Sequence, residues 1–253
     1  MDRNERRERF LQQMRSNIEK HGCHIYNVLG GESPRYAYTV GLLERLGFEV
    51  VLAGLVTMST STTASLLNRV ARLLEKQRPE EITLTVEGFG EFTLLETDSS
   101  WNERMLLGCY DYYQTDKVRA WQLVPVGEEA RTIDVPAMAK PYSPAQQPVW
   151  QWLDGGWPHS LPPDIQVVTN LDALLGYAVS ELMRWEEREW EMFSGPGPDV
   201  PEDQMHVVPL ATLLAFDSSL LPALEVPIGS GLFREFEEEL PGPWQPWEQP
   251  KPR

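Results

Sequence analysis

Between residues 144 and 163 the chain reads PAQQPVWQWLDGGWPHSLPP. So much Pro and Gly removes backbone donors and adds freedom that a regular helix or central strand cannot carry. An ordered but irregular connection is therefore expected from about Ala137 to Pro163. It divides the chain into two modules, residues 1–160 and 161–253, each of which must bury its own core. With 253 residues, 42% of them hydrophobic, there is apolar material for both.

On either side, apolar residues come in short runs broken by turn formers. Phe10, Leu11, Met14 and Ile18 recur at helical spacing among charges and predict an amphipathic helix ending near His21-Gly22. CHIYNVL, YAYTVGL and FEVVLAGL, rich in β-branched and aromatic residues, predict three strands. Ser59 to Gln77 opens with hydroxyls that can cap free N–H groups and carries Ala64, Leu67, Ala71 and Leu74 on one face, a helix. ITLTV and EFTLLET around EGFG predict a hairpin, Ser100-Trp-Asn-Glu103 a capping box starting a helix through Tyr113, and RAWQLVPV a strand. In the second module DIQVV is expected as a strand. NLDALLGYAVSELMRW is expected as one helix with Asn170 as cap and Leu171, Leu174, Leu175, Ala178 and Leu182 inward. The fold class is α+β, with two modules that each hold a small, mostly antiparallel sheet with packed helices.

Two cysteines, Cys23 and Cys109, are too few for a disulfide framework and form no CxxC pair. The first twenty residues are charged where a signal peptide would be apolar, and the run Val50–Met58 is too short to cross a bilayer, so a soluble cytoplasmic chain is expected. The formal net charge of -16 opposes direct binding to nucleic acid or anionic lipid and favours basic protein surfaces. The charge is uneven: Glu181 to Arg253 holds 15 acidic and 5 basic side chains, a net of -10.

No Gly-x-Ser-x-Gly elbow, phosphate loop with Lys or dinucleotide fingerprint occurs. His21-Gly-Cys-His24 lacks the second ligand pair that a structural zinc site needs, and His159 and His206 stand alone, so neither metal nor cofactor is expected. No catalytic residue is assigned, and the chain is expected not to be an enzyme. What the acidic C-terminal quarter does show is large aromatics among carboxylates, the composition of an interface anchor with a charged rim. The candidate partner-binding residues are Glu186, Glu187, Glu189, Trp190, Glu191, Asp199, Glu202, Asp203, Phe233, Arg234, Glu237 and Glu238. The alternative is an enzyme or small-ligand pocket built from His21, His24, Tyr36, Tyr38 and Thr39 at strand ends.

HGCHIYNVLGGESPRYAYTVGLLERLGFEVVLAGL resembles the bacterial domain of unknown function 4262 through His21, Gly22, His24, Pro34, Tyr36, Ala37, Tyr38, Thr39, Gly41 and Leu42, with Cys23 where the family usually has an aromatic. With RAWQLVPV, the resemblance covers roughly residues 15–130. The later stretch from EWEMF to GSGLFRE is similar to the immunity protein 33 type of domain (domain of unknown function 2185) at Trp190, Phe193, Asp217, Ser219, Leu220, Gly229, Ser230, Phe233 and Arg234. That second resemblance implies an immunity protein: a cytoplasmic chain that binds a cognate basic toxin delivered between competing bacteria and occludes its active site. An adaptor or chaperone for such an effector would share the same acidic surface.

Overall fold

The computed structural model describes residues 2–54, 56–76, 83–127, 130–195, 200–237 and 240–247. It holds two compact units: Met1–Leu29 with Arg35–Arg131 and Val135–Gln146, and Gly30–Pro34 with Thr132–Asp134 and Gln147–Arg253. The main crossing falls between Gln146 and Gln147, inside the Pro- and Trp-rich connection and ahead of the expected 160/161 boundary. The segment beyond the crossing is not a free linker. Pro148–Leu153 forms a 3-10 helix whose buried Trp150 donates from Nε1 to the Asp134 carbonyl at 2.9 Å.

The first unit runs α1 (Arg3–His21), β1 (His24–Val28), β2 (Tyr36–Val40), α2 (Leu43–Leu46), β3 (Glu49–Ala53), α3 (Thr60–Lys76), β4 (Thr83–Val86), β5 (Gly90–Glu96), α4 (Ser99–Met105), α5 (Leu107–Tyr113) and β6 (Ala120–Pro125). Its six strands lie in the order β1-β2-β3-β6-β5-β4, antiparallel except where β3 meets β6. Central β3, EVVLA, is buried at all five positions, which explains its unbroken apolar run. Helix α3 turns Leu66, Leu67, Val70, Ala71 and Leu74 onto one face of the sheet, against Ala37, Val50, Leu52, Phe92 and Leu94. Burying five such side chains supplies on the order of 10 kcal/mol toward the chain's ordering cost. Ser59 caps that helix by accepting from the Thr62 N–H at 3.1 Å. Gln77 and Ile82, ends of the expected helix and strand, lie outside the described residues. Helix α5 packs against β2 on the sheet's other face. Gly22, at φ +85°, stops α1 and donates to the Ile18 carbonyl at 2.8 Å, so His21 ends the helix as expected.

Two helices replace the single one expected from Ser100. The cap is Asp98, accepting from the Ser100 N–H at 2.9 Å, and Leu106, at φ -94° and ψ 38°, separates α4 from α5. A carboxylate two residues upstream outcompetes the Ser100/Glu103 pairing, because it meets both the Ser100 N–H and its hydroxyl.

The second unit contains β7 (Gln166–Asn170), α6 (Leu171–Leu174), β8 (Glu181–Arg184), β9 (Glu189–Phe193), β10 (Met205–Pro209), α7 (Leu210–Phe216), β11 (Ser230–Phe233), β12 (Phe236–Glu237), β13 (Leu240–Pro241) and β14 (Gln245–Pro246). Six of these strands form a sheet in the order β10-β7-β9-β8-β11-β14, again with one parallel junction, β7 to β9. The fold is thus α+β with two mixed, mostly antiparallel sheets. Here the long helix expected over Asn170–Trp185 is overturned. Asn170 does cap, through Ala173 N at 3.4 Å, but α6 stops after one turn at Gly176, φ +99°, and ELMR enters the sheet as β8. The spacing of leucines fits either element over so short a run, and pairing with β9 and β11 decides it.

Candidate functional site

Strand β2 places Tyr36 and Tyr38 on one face of the first sheet and Ala37 and Thr39 on the other. Tyr38 stacks on Tyr26 of β1, centroids 5.0 Å apart and planes 8° apart, and continues to Tyr36 at 6.2 Å. Neither phenol is idle. Tyr36 donates to the Met105 carbonyl at 3.1 Å, and the Tyr38 oxygen accepts from the Gly108 N–H at 2.9 Å. Burial pushes the Tyr36 phenol up to about 12 and that of Tyr38 further still. Gly108 is required there, since a Cβ would lie 2.6 Å from the Tyr38 oxygen.

Thr39 belongs to a different assembly centred on Glu49, which is 0% exposed. Its carboxylate accepts from the Thr39 hydroxyl at 2.6 Å, the Gly41 N–H at 2.9 Å, the Leu42 and Leu43 N–H groups at 3.0 Å, and the Tyr113 hydroxyl. Burial pushes the Glu49 carboxyl up, and the converging donors oppose that push. Three consecutive amides held this way fix the β2–α2 turn, where Gly41 sits at φ +113°. The cluster is structural: Glu49 is closed off from solvent, its Oε1 is saturated by four donors and its Oε2 is held by the Thr39 hydroxyl.

His24 takes a third direction. Its Nδ1 pairs with the Asn17 amide at 2.9 Å, which leaves Nε2 to carry the proton, and burial lowers its pKa. His24 and His21 line a cavity of about 550 Å³ along the outer edge of β1, between α1 and α3. The five residues of the expected pocket therefore divide among three places, with only the two histidines sharing a cavity. Cys23, at its floor, is 2% exposed and burial raises its thiol to about 11; Cys109 is buried and its thiol is likewise pushed up by burial. Among the described residues no group of three or more His, Cys, Asp or Glu side chains converges as metal ligands.

In the second unit the candidate residues also separate. Trp190 is 2% exposed and Arg234 is 4% exposed, so both are core residues, a correction to their assignment as contact residues. Arg234 is held by the Val179 carbonyl at 2.6 Å, Ser219 Oγ at 2.8 Å and Asp217 at 3.1 Å, with Trp244 stacked 4.2 Å away. Asp217, Ser219 and Arg234, three positions of the second resemblance, thus form one internal clasp. Phe233, half-buried, sits at the same end of the sheet beside Trp247, and Glu202 is exposed ahead of β10. Glu191 is half-buried in mid-β9. Asp199 and Glu238 lie outside the described residues, as do the side chains of Asp203 and Glu237.

Glu186, Glu187 and Glu189 occupy the opposite end, roughly 13 Å away along four-residue strands. There the β8–β9 turn, Trp185-Glu-Glu-Arg188, is closed by Trp185 N–H to Glu189 C=O at 2.9 Å. Trp185 is 47% exposed. The neighbouring turn before β11 is tied to it through Gly229 N–H to Arg184 C=O at 2.7 Å, and brings up Ile228, 59% exposed. Two cations lie at this end: Arg188 is engaged by Asp164 at 2.6 Å, and Arg184 donates to the Val226 carbonyl at 3.0 Å. Sequence reading missed Trp185 and Ile228 as a pair because the turns that carry them are more than 40 positions apart and meet only through the β8–β11 ladder.

Residues 17–130 match the family described as Domain of unknown function (DUF4262). Nothing in the comparisons supports the resemblance of the C-terminal half to the immunity protein 33 type. No curated protein and no solved structure matches the chain. No helix among the described residues is long and apolar enough to cross a membrane.

Proposed function

We propose that the chain is a binding protein that docks a basic protein partner on the Trp185 end of its second sheet, and that this partner is a toxin whose active cleft is thereby occluded. The observation behind the reading is an indole 47% exposed at a turn that also presents Glu186, Glu187 and Glu189. An exposed Trp costs the free protein apolar hydration, which burial against a partner recovers at roughly 25 cal/mol per Å². The carboxylates around it steer a basic surface into place, and a chain of net charge -16 extends that field. A cleft that handles nucleic acid or nucleotides is basic, so these carboxylates compete for the position of its anionic substrate.

The test uses the full chain as bait in a lysate of its own organism, beside a bait carrying Trp185→Ala and Glu186→Lys. The reading expects a stoichiometric basic partner on the first bait, depleted on the second, that arrests growth when expressed alone and is harmless when co-expressed with this chain. A partner retained equally by both baits, or one harmless by itself, overturns it.

A further inference from the structure

The 550 Å³ cavity of the first unit has an unusual lining for so acidic a chain: none of its ten residues is Asp or Glu. Helix α1 supplies Asn17 and Lys20 on one wall, α3 supplies Asn68 and Arg72 on the other, and the floor is edge strand β1 with His24 and Asn27. Among the described residues, neither the Lys20 ammonium nor the Arg72 guanidinium has an ion-pair partner. Glu75, one turn along α3 from Arg72, is already taken by Arg45, which also donates to the Gly22 carbonyl. The formal charge of the lining residues is therefore positive within an overall negative chain.

The walls are set before any ligand arrives. The Asn68 amide donates to the Ala64 carbonyl at 2.8 Å, and the Asn17 amide holds the His24 ring at 2.9 Å with Nε2–H left as a donor. As the edge of its sheet, β1 pairs among the described residues with β2 alone, so alternate residues turn their backbone N–H and C=O groups toward the cavity side. The cavity thus combines two cations, an imidazole N–H, the Asn27 amide and backbone donors, with no carboxylate among its lining residues. Such a set matches a group of high charge density with several acceptor oxygens, and a guanidinium binds it in two-point fashion. A volume of 550 Å³ fits a small molecule.

We propose that this cavity binds a phosphorylated small molecule, with Lys20 and Arg72 on the phosphoryl oxygens and β1 beneath the remainder. The site lies wholly in the first unit and does not depend on how the second unit meets a partner.

The experiment titrates the full ¹⁵N-labelled chain with inorganic phosphate, glycerol phosphate and AMP, with glycerol and adenosine as uncharged controls. Calorimetry on the same probes gives affinity. Both esters are expected to saturate at about 1 mM or tighter, moving the amides of residues 17–27 and 64–72, while the controls move nothing. A Lys20→Glu/Arg72→Glu chain, altered at two exposed positions and checked for an unchanged far-ultraviolet spectrum, is expected to bind at least roughly tenfold more weakly. Arg72→Glu alone provides the second variant should the pair disturb the fold. Binding by inorganic phosphate without the esters, unchanged affinity in the variants, shifts confined to other segments, or no saturation up to about 10 mM overturns the proposal.

Discussion

Replacing Glu49 with alanine removes the acceptor on which the Thr39 and Tyr113 hydroxyls and the Gly41, Leu42 and Leu43 amides converge. Not all of them are stranded. Gly41 N–H keeps the Tyr113 oxygen at 2.7 Å, and Leu43 is half-buried, within reach of water. Leu42 N–H is left inside the core and the Thr39 hydroxyl keeps only a long bond to the Val50 carbonyl at 3.5 Å, each loss costing about 1–3 kcal/mol, and the vacated volume adds about 1 kcal/mol. A destabilisation of about 4 kcal/mol is expected for Glu49→Ala. Glu49→Gln keeps one oxygen for the amides and turns its NH₂ toward Thr39, whose oxygen can accept, so about 1–2 kcal/mol is expected. Because Cys23 and Cys109 are both buried in the first unit, thiol labelling in urea reports that unit alone. With a slope of about 2 kcal/mol per M, the alanine variant moves the labelling midpoint down by roughly 2 M, the glutamine variant by under about 1 M. An alanine midpoint within about 0.3 M of the parent, or a glutamine variant weaker than alanine, would refute the idea that Glu49 organises the β2–α2 turn.

Gly108→Ala forces a methyl against the Tyr38 oxygen and the Tyr26 ring, 2.6 and 2.8 Å from its Cβ, and is expected to cost about 1–3 kcal/mol in the same assay. Trp190→Ala, which empties a core position of the second unit, is expected to cost about 3–5 kcal/mol by denaturant melts followed through tryptophan fluorescence. His24, with its pKa lowered on folding, takes up its proton more readily when unfolded. Its contribution to stability is therefore full above the ordinary value of 6.5 and lost as pH falls below it, and His24→Gln should flatten the midpoint between about pH 7 and pH 5. Iodoacetamide at about pH 8 should leave both cysteines unmodified in the native chain, since burial raises both thiols.

Elements with a long, one-faced pattern were legible from residues alone: α1 ending at His21, α3 with its hydroxyl cap, the β4–β5 hairpin, and β1 to β3. What misled was local ambiguity. Five apolar residues between Asn170 and Leu182 satisfy a helical repeat, and only the ladders to β9 and β11 place the second half in a strand. The candidate pocket failed for a related reason. Alternation along β2 sends Tyr38 and Thr39 to opposite faces, so proximity in sequence is separation in space. Trp190 and Arg234 looked like interface residues by type and charge, but alternation in β9 turns Trp190 inward, and Asp217 and Ser219, 17 and 15 positions before Arg234, draw its guanidinium into the core. Exposure, which decides between anchor and core, is a property of the sheet and has no signature in composition.

The most direct test of the docking surface is the association rate of the recovered partner with this chain across a salt series, for the parent, Glu186→Lys/Glu187→Lys and Trp185→Ala. Steering by the acidic turn predicts association that slows steeply with salt in the parent, is slower at low salt and less salt-dependent in the charge-reversed chain, and is nearly unchanged for Trp185→Ala, which instead dissociates roughly tenfold or more faster. Association indifferent to salt, or variants that bind and release like the parent, would contradict docking at the Trp185 end of the sheet.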